Sequence, residues 1–277
     1  MTAHADMLIA DLELARRLER AEALANAEFV EARAAAFPDV GTQWIEVAGA
    51  RVMFDGIDSP CTQTFGLGLF GPVADADLER IEQFFLERGA AVHHEVCPLA
   101  DTSLIQLLNE RGYEPFEFSN VMFRPIPSAV VPEETDAELR VRLVGPADQD
   151  RWAATGAAGW RDVAPGLDDF IRTLAAINPH RPHGHSFLVE LGGEAIAAGA
   201  LSVFEGVALF AGACTIPQWR KRGAQRALLA HRLQFAADCG CDLAMIVAAP
   251  GSASQRNAER AGFRIAYTRL KWRLRDG

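Results

Sequence analysis

Residues 211–232, AGACTIPQWRKRGAQRALLAHR, constrain the chain more than any other stretch. The segment starts apolar and β-prone, breaks at Pro217, turns through a basic run around Gly223, and continues as an Ala/Leu-rich helix. That order predicts a strand, a tight turn and a helix N-terminus. The first N–H groups of a helix lack intrahelical acceptors and lie at the positive end of its dipole, so such a turn suits a phosphate. Arg220, Lys221, Arg222 and Arg226 add full charges beside it. Gly223 accepts the positive φ that lets backbone approach an anion closely. A surface connection with solvated arginines has the same composition, so the rest of the chain has to decide.

The 277 residues leave room for two domains, each with its own core. Hydrophobic residues at 49% and charged ones at 23% match soluble globular proteins. No uncharged apolar run is long enough to span a membrane. The start, MTAHADMLIADLELA, has acids around a very short apolar run and no basic region, which reads as cytoplasmic rather than secretory. A net charge of −10 excludes broad nucleic-acid binding, because a phosphate backbone is repelled. An acidic chain with its arginines gathered in one turn points instead to a local anion site. Five cysteines at scattered positions form no disulfide framework. Cys239-Gly240-Cys241 reads as two small core residues around a helix-ending glycine.

Apolar residues at steps of three or four predict one long helix over 7–36, stopped by Phe37-Pro38. Strands are predicted at 44–47, 51–54 and 62–70, then a helix over 75–88, a strand near 91–96, a helix over 102–111 and a strand around 116–124. Residues 125–138, PIPSAVVPEETDAE, have the proline and acid content of a linker. The division expected is therefore 1–127, a linker at 128–138, and 139–277. The second half repeats the plan. A strand at 139–144 precedes helices at 146–160 and 168–177, followed by strands at 186–191, 195–204 and 207–216. After the basic turn and its helix come a strand at 242–248, a short helix at 254–260 and a strand at 264–274. The fold class is α+β.

Over essentially all of 139–275, this order resembles the GNAT superfamily of acyl-CoA-dependent N-acetyltransferases. Residues 215–229, TIPQWRKRGAQRALL, resemble its pyrophosphate-binding signature, [Q/R]-x-x-G-x-[G/A]. Arg220 and Gly223 fill the first two fixed places, and Gln225 stands where Gly or Ala is usual. Residues 250–263, PGSASQRNAERAGF, resemble the S-x-x-N…G-F segment that lies beside the CoA arm. The resemblance implies two GNAT-like domains, each a mixed, mostly antiparallel sheet flanked by helices. It implies acetyl-CoA as acyl-donor cosubstrate and no metal. It also implies cofactor contacts from Ala213, Cys214 and Thr215 through backbone, from the turn Arg220, Lys221, Arg222, Gly223, Ala224, Gln225 and Arg226, and from Ser254 and Asn257. Capping by Ser254 and simple exposure of Asn257 are the competing readings.

The tyrosine that many relatives use as general acid falls at Ala258 here. Tyr267 on the next strand is the replacement if its hydroxyl faces the cleft, with a core tyrosine as the competing reading. Glu205 and Glu190 are the carboxylates considered for deprotonating an amine, although Glu205 lies in an expected hairpin turn. Cys214 reads as a buried small residue rather than an acyl carrier. His180, His183 and His185 occupy a Pro/Gly-rich loop with no carboxylate beside them, and are read as bordering the acceptor entrance. In the first half, residues 65–77, FGLGLFGPVADAD, carry no Arg or Lys, and Asp75, Asp77 and Glu79 repel a pyrophosphate. That half resembles a degenerate GNAT-like domain without CoA. The expectation is an acetyltransferase acting on a primary amine of a small molecule or peptide by direct attack, with no nucleic-acid or membrane partner, as a monomer or homodimer. A non-catalytic CoA-binding sensor or interaction protein is the alternative.

Overall fold

A computed structural model of the chain describes residues 9–127, 137–162 and 168–275. Most of the expected linker lies outside those residues.

Helix α1 (Leu12–Ala36) begins where the Asp11 carboxylate accepts the Leu14 N–H at 2.9 Å, and Phe37 caps its end ahead of Pro38. The first half continues with β1 (Gln43–Val47), β2 (Ala50–Phe54), β3 (Gln63–Phe65), α2 (Asp75–Leu86), β4 (His93–Val96), α3 (Ser103–Glu110) and β5 (Tyr113–Pro125). The second half contains β6 (Leu139–Leu143), α4 (Gln149–Trp160), α5 (Asp168–Ile177), β7 (Gly184–Leu191), β8 (Glu194–Phe204) and β9 (Val207–Thr215). It closes with α6 (Ala224–Asp238), β10 (Leu243–Ala248), α7 (Ala253–Arg260) and β11 (Arg264–Leu274). One strand differs from expectation. The run at 62–70 pairs only to Phe65, because Gly66 and Gly68 take φ of +79° and +75° and turn the chain away.

All the strands join one mixed, mostly antiparallel sheet in the order β1-β2-β3-β4-β11-β5-β10-β9-β8-β7-β6. The last strand of each half crosses to the other. β11 lies between β4 and β5, and β5 lies between β11 and β10. Each half therefore completes its sheet with a strand from the other. Among the described residues two strand pairs are parallel, β3 with β4 and β9 with β10.

Helix α1 spans the junction on one face. Leu14, Leu18 and Ala21 pack on Val121, Leu209, Met245 and Tyr267, and Ala27, Phe29 and Val30 on Met53 and Phe65. Its inner face also carries charge. Glu19 is fully buried against Arg269, and Glu28 pairs with the buried Arg181. On the opposite face α6 packs through Ala224, Leu228, Leu229, Leu233 and Ala236 against Phe187, Ile196, Ala208 and Phe210. Truncating a fully buried leucine such as Leu228 costs about 2–5 kcal/mol.

Candidate functional site

The site begins where β9 leaves β10. Their ladder runs from Val207–Leu243 to Phe210–Ile246 and stops, yet β9 continues to Thr215 and β10 to Ala248. On the other side of β9 the register with β8 shifts between Ala200–Ala211 and Ala198–Cys214. Two β9 residues, Gly212 and Ala213, thus face the single Gly199. This is a β-bulge, which adds a residue, bends its strand and turns the edge outward. Gly212 sits in the bulge with φ of +61°. Ala213, Cys214 and Thr215 therefore lie beyond the last β9–β10 pair, and Cys214 turns its side chain toward α4. Its thiol is buried near Thr155 O and Gly156 O, and burial pushes its pKa up to about 11. Helix α4 lies close because Gly159 has no Cβ; one there would stand 2.5 Å from Cys214 Sγ.

After Thr215 the chain makes a short 3-10 turn over Pro217–Trp219 and enters α6 from Gly223. Gly223 has φ of +78° and Lys221 φ of +65°, so the basic turn is left-handed at two points. The first i→i−4 bond of the helix runs from Ala227 N–H to Gly223 O at 3.0 Å. The N–H groups of Ala224 and Gln225, inside that first turn, have no intrahelical acceptor. Lys221, Arg222, Gly223 and Arg226 line a hollow of about 530 Å³ with Glu138, Leu139 and Leu191. A helix N-terminus, a left-handed glycine and exposed cations thus share one hollow, a combination that suits an anion.

Arg220 also makes contacts within the chain. Its Nε donates to Thr215 O at 3.3 Å and its guanidinium to Gly159 O at 3.4 Å, so it clasps the end of β9 to the end of α4. Gln225 folds back toward the strand. Its Nε2 donates to Cys214 O and to Thr215 Oγ1, both at 2.9 Å. The residue that replaces the usual small one is thus directed along β9, leaving its backbone in the first turn of α6.

Helix α7 starts with Ser252, whose Oγ accepts the Gln255 N–H at 3.1 Å; Ser254 is exposed inside the helix. Asn257 is half-buried with its Oδ1 3.4 Å from Arg260. A contact that sequence reasoning missed anchors this helix. Asn120 of β5 donates to Gln255 Oε1 at 3.2 Å and accepts from Thr268 at 2.7 Å. Nothing in the sequence singled it out, since Glu117 and Ser119 stand in the same strand. The bulge did have a signal, Gly212 inside a strand pattern.

The acid and base candidates are not brought to the opening. Tyr267 stands on β11, separated from β10 by β5, and its hydroxyl donates to Glu19 Oε1 at 2.9 Å beneath α1. Burial, followed by the Glu19 charge, holds its pKa well above the ordinary phenol value. Glu205 is exposed in the β8–β9 turn, at the end of β9 remote from the bulge. Glu190 accepts from Arg142 at 3.0 Å and Arg151 at 2.7 Å. The loop histidines diverge. His183 Nδ1 lies 2.9 Å from Glu28 Oε1, while His185 packs on Phe235 with its pKa lowered by burial. Among the described residues, no three His, Cys, Asp or Glu side chains are grouped to hold a metal ion.

Residues 154–263 match the family model of the acetyltransferase (GNAT) family. No curated protein matches the chain. Among solved structures, a GCN5-related N-acetyltransferase from Kribbella flavida superposes with a TM-score of 0.70 at 18% identity, over 95% of this chain and 96% of that one. A tandem GNAT protein from the clavulanic acid biosynthesis pathway gives 0.59 at 11% identity, over 82% of this chain and 79% of that one. A GCN5-related N-acetyltransferase from Sphaerobacter thermophilus gives 0.58 at 16%, over 78% and 73%. At these identities the structural likeness speaks for the fold alone. Family model and fold agree: residues 154–263 match the GNAT family model, and the chain shares the fold of GNAT proteins, a tandem one among them.

Proposed function

We propose that the chain is an N-acetyltransferase, which moves an acetyl group from acetyl-CoA to a primary amine of a small molecule or peptide. The observation that carries this reading is a bulged β9 that runs past its last pair with β10 and leads, through the basic turn, into the N-terminus of α6. The residues fit the donor. Lys221, Arg222 and Arg226 supply charge for the pyrophosphate and Gly223 a close backbone approach, beside the Ala224 and Gln225 N–H groups. The main chain of Ala213, Cys214 and Thr215 suits an extended ligand with amides, and Ser254 and Asn257 are the polar groups of α7 assigned to the same arm. When bound, acetyl-CoA supplies the acyl group as an activated thioester. The amine would attack the thioester carbonyl directly, the C–S bond would break and CoA would leave as the thiolate, which takes up the proton that the amine gives up. A β9 N–H beyond the last ladder pair is the donor for the carbonyl oxygen as it gains charge.

A second reading rests on a specific observation. Tyr267 is tied to Glu19 and Glu205 lies at the far end of β9, so neither stands at the opening. A CoA-binding sensor or interaction protein needs no acid or base there. Calorimetric titration of acetyl-CoA, followed by thiol release against a panel of amines, separates the two. Binding with amine-dependent thiol release supports transfer, and tight binding with no release from any amine supports the sensor. One site per chain is expected, and two would overturn the reading of the first half as a domain that does not bind CoA. Absence of binding would sink both.

A further inference from the structure

Helix α6 places one charged residue in an otherwise apolar interface. Arg232 is 1% exposed, among Phe210, Leu228 and Leu229. One terminal nitrogen donates to Ala200 O at 2.9 Å and lies 3.4 Å from Ala211 O. The guanidinium sits 4.8 Å from the centre of the Phe210 ring. Its space exists because residue 199 is glycine: a Cβ there would stand 3.3 Å from that nitrogen and 2.9 Å from Leu228 Cδ2. Among the described residues no carboxylate pairs with Arg232, and its Nε has no hydrogen-bond partner. A buried cation without a counter-charge is costly, and a leucine at this position would pack without that cost.

The two carbonyls it reaches belong to the last β8–β9 pair before the bulge, and Phe210 is the last β9 residue paired with β10. A bulge interrupts the ladder locally and leaves backbone groups to be satisfied in other ways. We propose that Arg232 is a positioning residue for the acyl-donor slot, holding β9 in its bulged, splayed course by taking the carbonyls at the bulge. It acts through the strand and touches no substrate. This proposal rests on the acetyl-CoA reading for its functional consequence, but not for its structural claim.

The test replaces Arg232 by Met, Gln and Lys in the full chain and reads amide hydrogen exchange alongside acetyl-CoA titration. In Arg232→Met the amides of residues 211–215 are expected to exchange on the order of ten-fold faster, with those of β7 and the β5–β11 ladder unchanged. Acetyl-CoA affinity falls by a similar factor, and Arg232→Lys recovers most of both. Unchanged exchange at 211–215 overturns the proposal. Uniform acceleration across the sheet also overturns it, since that is the signature of a general core contact. If Arg232→Met does not fold, the Gln and Lys variants are read by the same two criteria. If the parent chain binds no acetyl-CoA, the functional reading fails while the exchange arm still decides the role of Arg232.

Discussion

β9 leads through a turn into α6, and β3 leads through a turn into α2. Each strand is parallel to the one that follows, and the sheet order places the two units on either side of the exchanged strands β11 and β5. Their contents differ at every step. β9 spans Val207–Thr215 and outruns its partner, whereas β3 spans Gln63–Phe65 and has a single parallel pair, Thr64–His94. The turn before α6 opens a basic hollow. The turn before α2 is packed shut, with Leu67 and Leu69 buried in two cores and Gly68 O accepting from Asp101 N–H at 2.9 Å. A Cβ at Gly68 would stand 2.8 Å from Leu104 Cδ2. The α2 N-terminus also holds its own anions: Asp77 accepts the Ala74 N–H at 3.0 Å, and Asp75 pairs with Arg111 at 2.7 Å. A strand leading into a helix does not by itself make an anion site. β9 runs past its neighbour and its helix starts beside exposed cations, whereas the start of α2 is filled by its own side chains.

The comparison treats the halves as distinct units, and the exchanged strand offers the strongest way to break it. Arg269 on β11 faces three carboxylates, Glu22 at 2.5 Å, Glu19 at 3.1 Å and Glu95 at 3.2 Å. Arg269→Met leaves them facing one another and is expected to cost about 3–5 kcal/mol in urea unfolding. Because β11 pairs with β4 and β5, the loss should appear in a single transition covering both halves. Two transitions, with only one displaced, would show that the halves fold independently.

The same cluster sets a pH dependence. Burial raises the Glu19 pKa from 4.5 to about 7, against the opposing pull of Arg269. The folded chain therefore keeps this proton more tightly than the unfolded one. Its stabilising effect is fully present below pH 4.5 and is lost as pH rises through about 7. His94, in the β3–β4 pair, runs the other way. Burial lowers its pKa from 6.5 to about 3, so its contribution is present above pH 6.5 and is lost as pH falls toward 3. Stability measured against pH should lose the alkaline decline in Glu19→Gln and the acid decline in His94→Leu. A slope that neither variant changes would remove both groups from the account.

Gly223→Asp gives the C-terminal turn the character of the N-terminal one, a side chain at φ +78° and a carboxylate at the helix start. Acetyl-CoA affinity should fall on the order of 100-fold by calorimetry. The reverse change is expected to be small. Asp77→Ala removes one cap, costs about 1 kcal/mol in thermal unfolding, and creates no acetyl-CoA site because Leu67 and Leu69 still fill the turn. A new site in Asp77→Ala would show that charge alone distinguishes the two turns.

Order and type of the elements were legible because their signals are local: period along α1, Pro217 and Gly223 around the turn, Pro38 after the first helix. The strand exchange was not, since β5 and β11 read as ordinary terminal strands whichever sheet they enter. The β3 error has a similar root. Residues 62–70 are apolar enough for a strand, but Gly66 and Gly68 turn them into a plug whose packing depends on Leu104, far along the chain. In the site, the charge of the turn and the positive φ of Gly223 were readable. The inward turn of Arg220, the Tyr267–Glu19 bond and the buried Arg232 depend on partners from distant elements. Arg232 in particular sits on a helix whose apolar periodicity conceals it.

Gln225 carries the smallest expected effect and sharpens the comparison most finely. Its carboxamide joins the first turn of α6 to the end of β9 through Cys214 O and Thr215 Oγ1. If that link only braces the turn, Gln225→Ala loses about 0.5–1.5 kcal/mol of stability and acetyl-CoA affinity stays within about three-fold. If the side chain instead competes with the ligand for the strand edge, affinity rises about ten-fold despite the lost bond. The geometry favours the brace, because the carboxamide lies along β9 and leaves the backbone of residue 225 in the first helical turn. A ten-fold gain would mean that this turn, too, is partly closed by its own side chain, and that the two turns differ by degree.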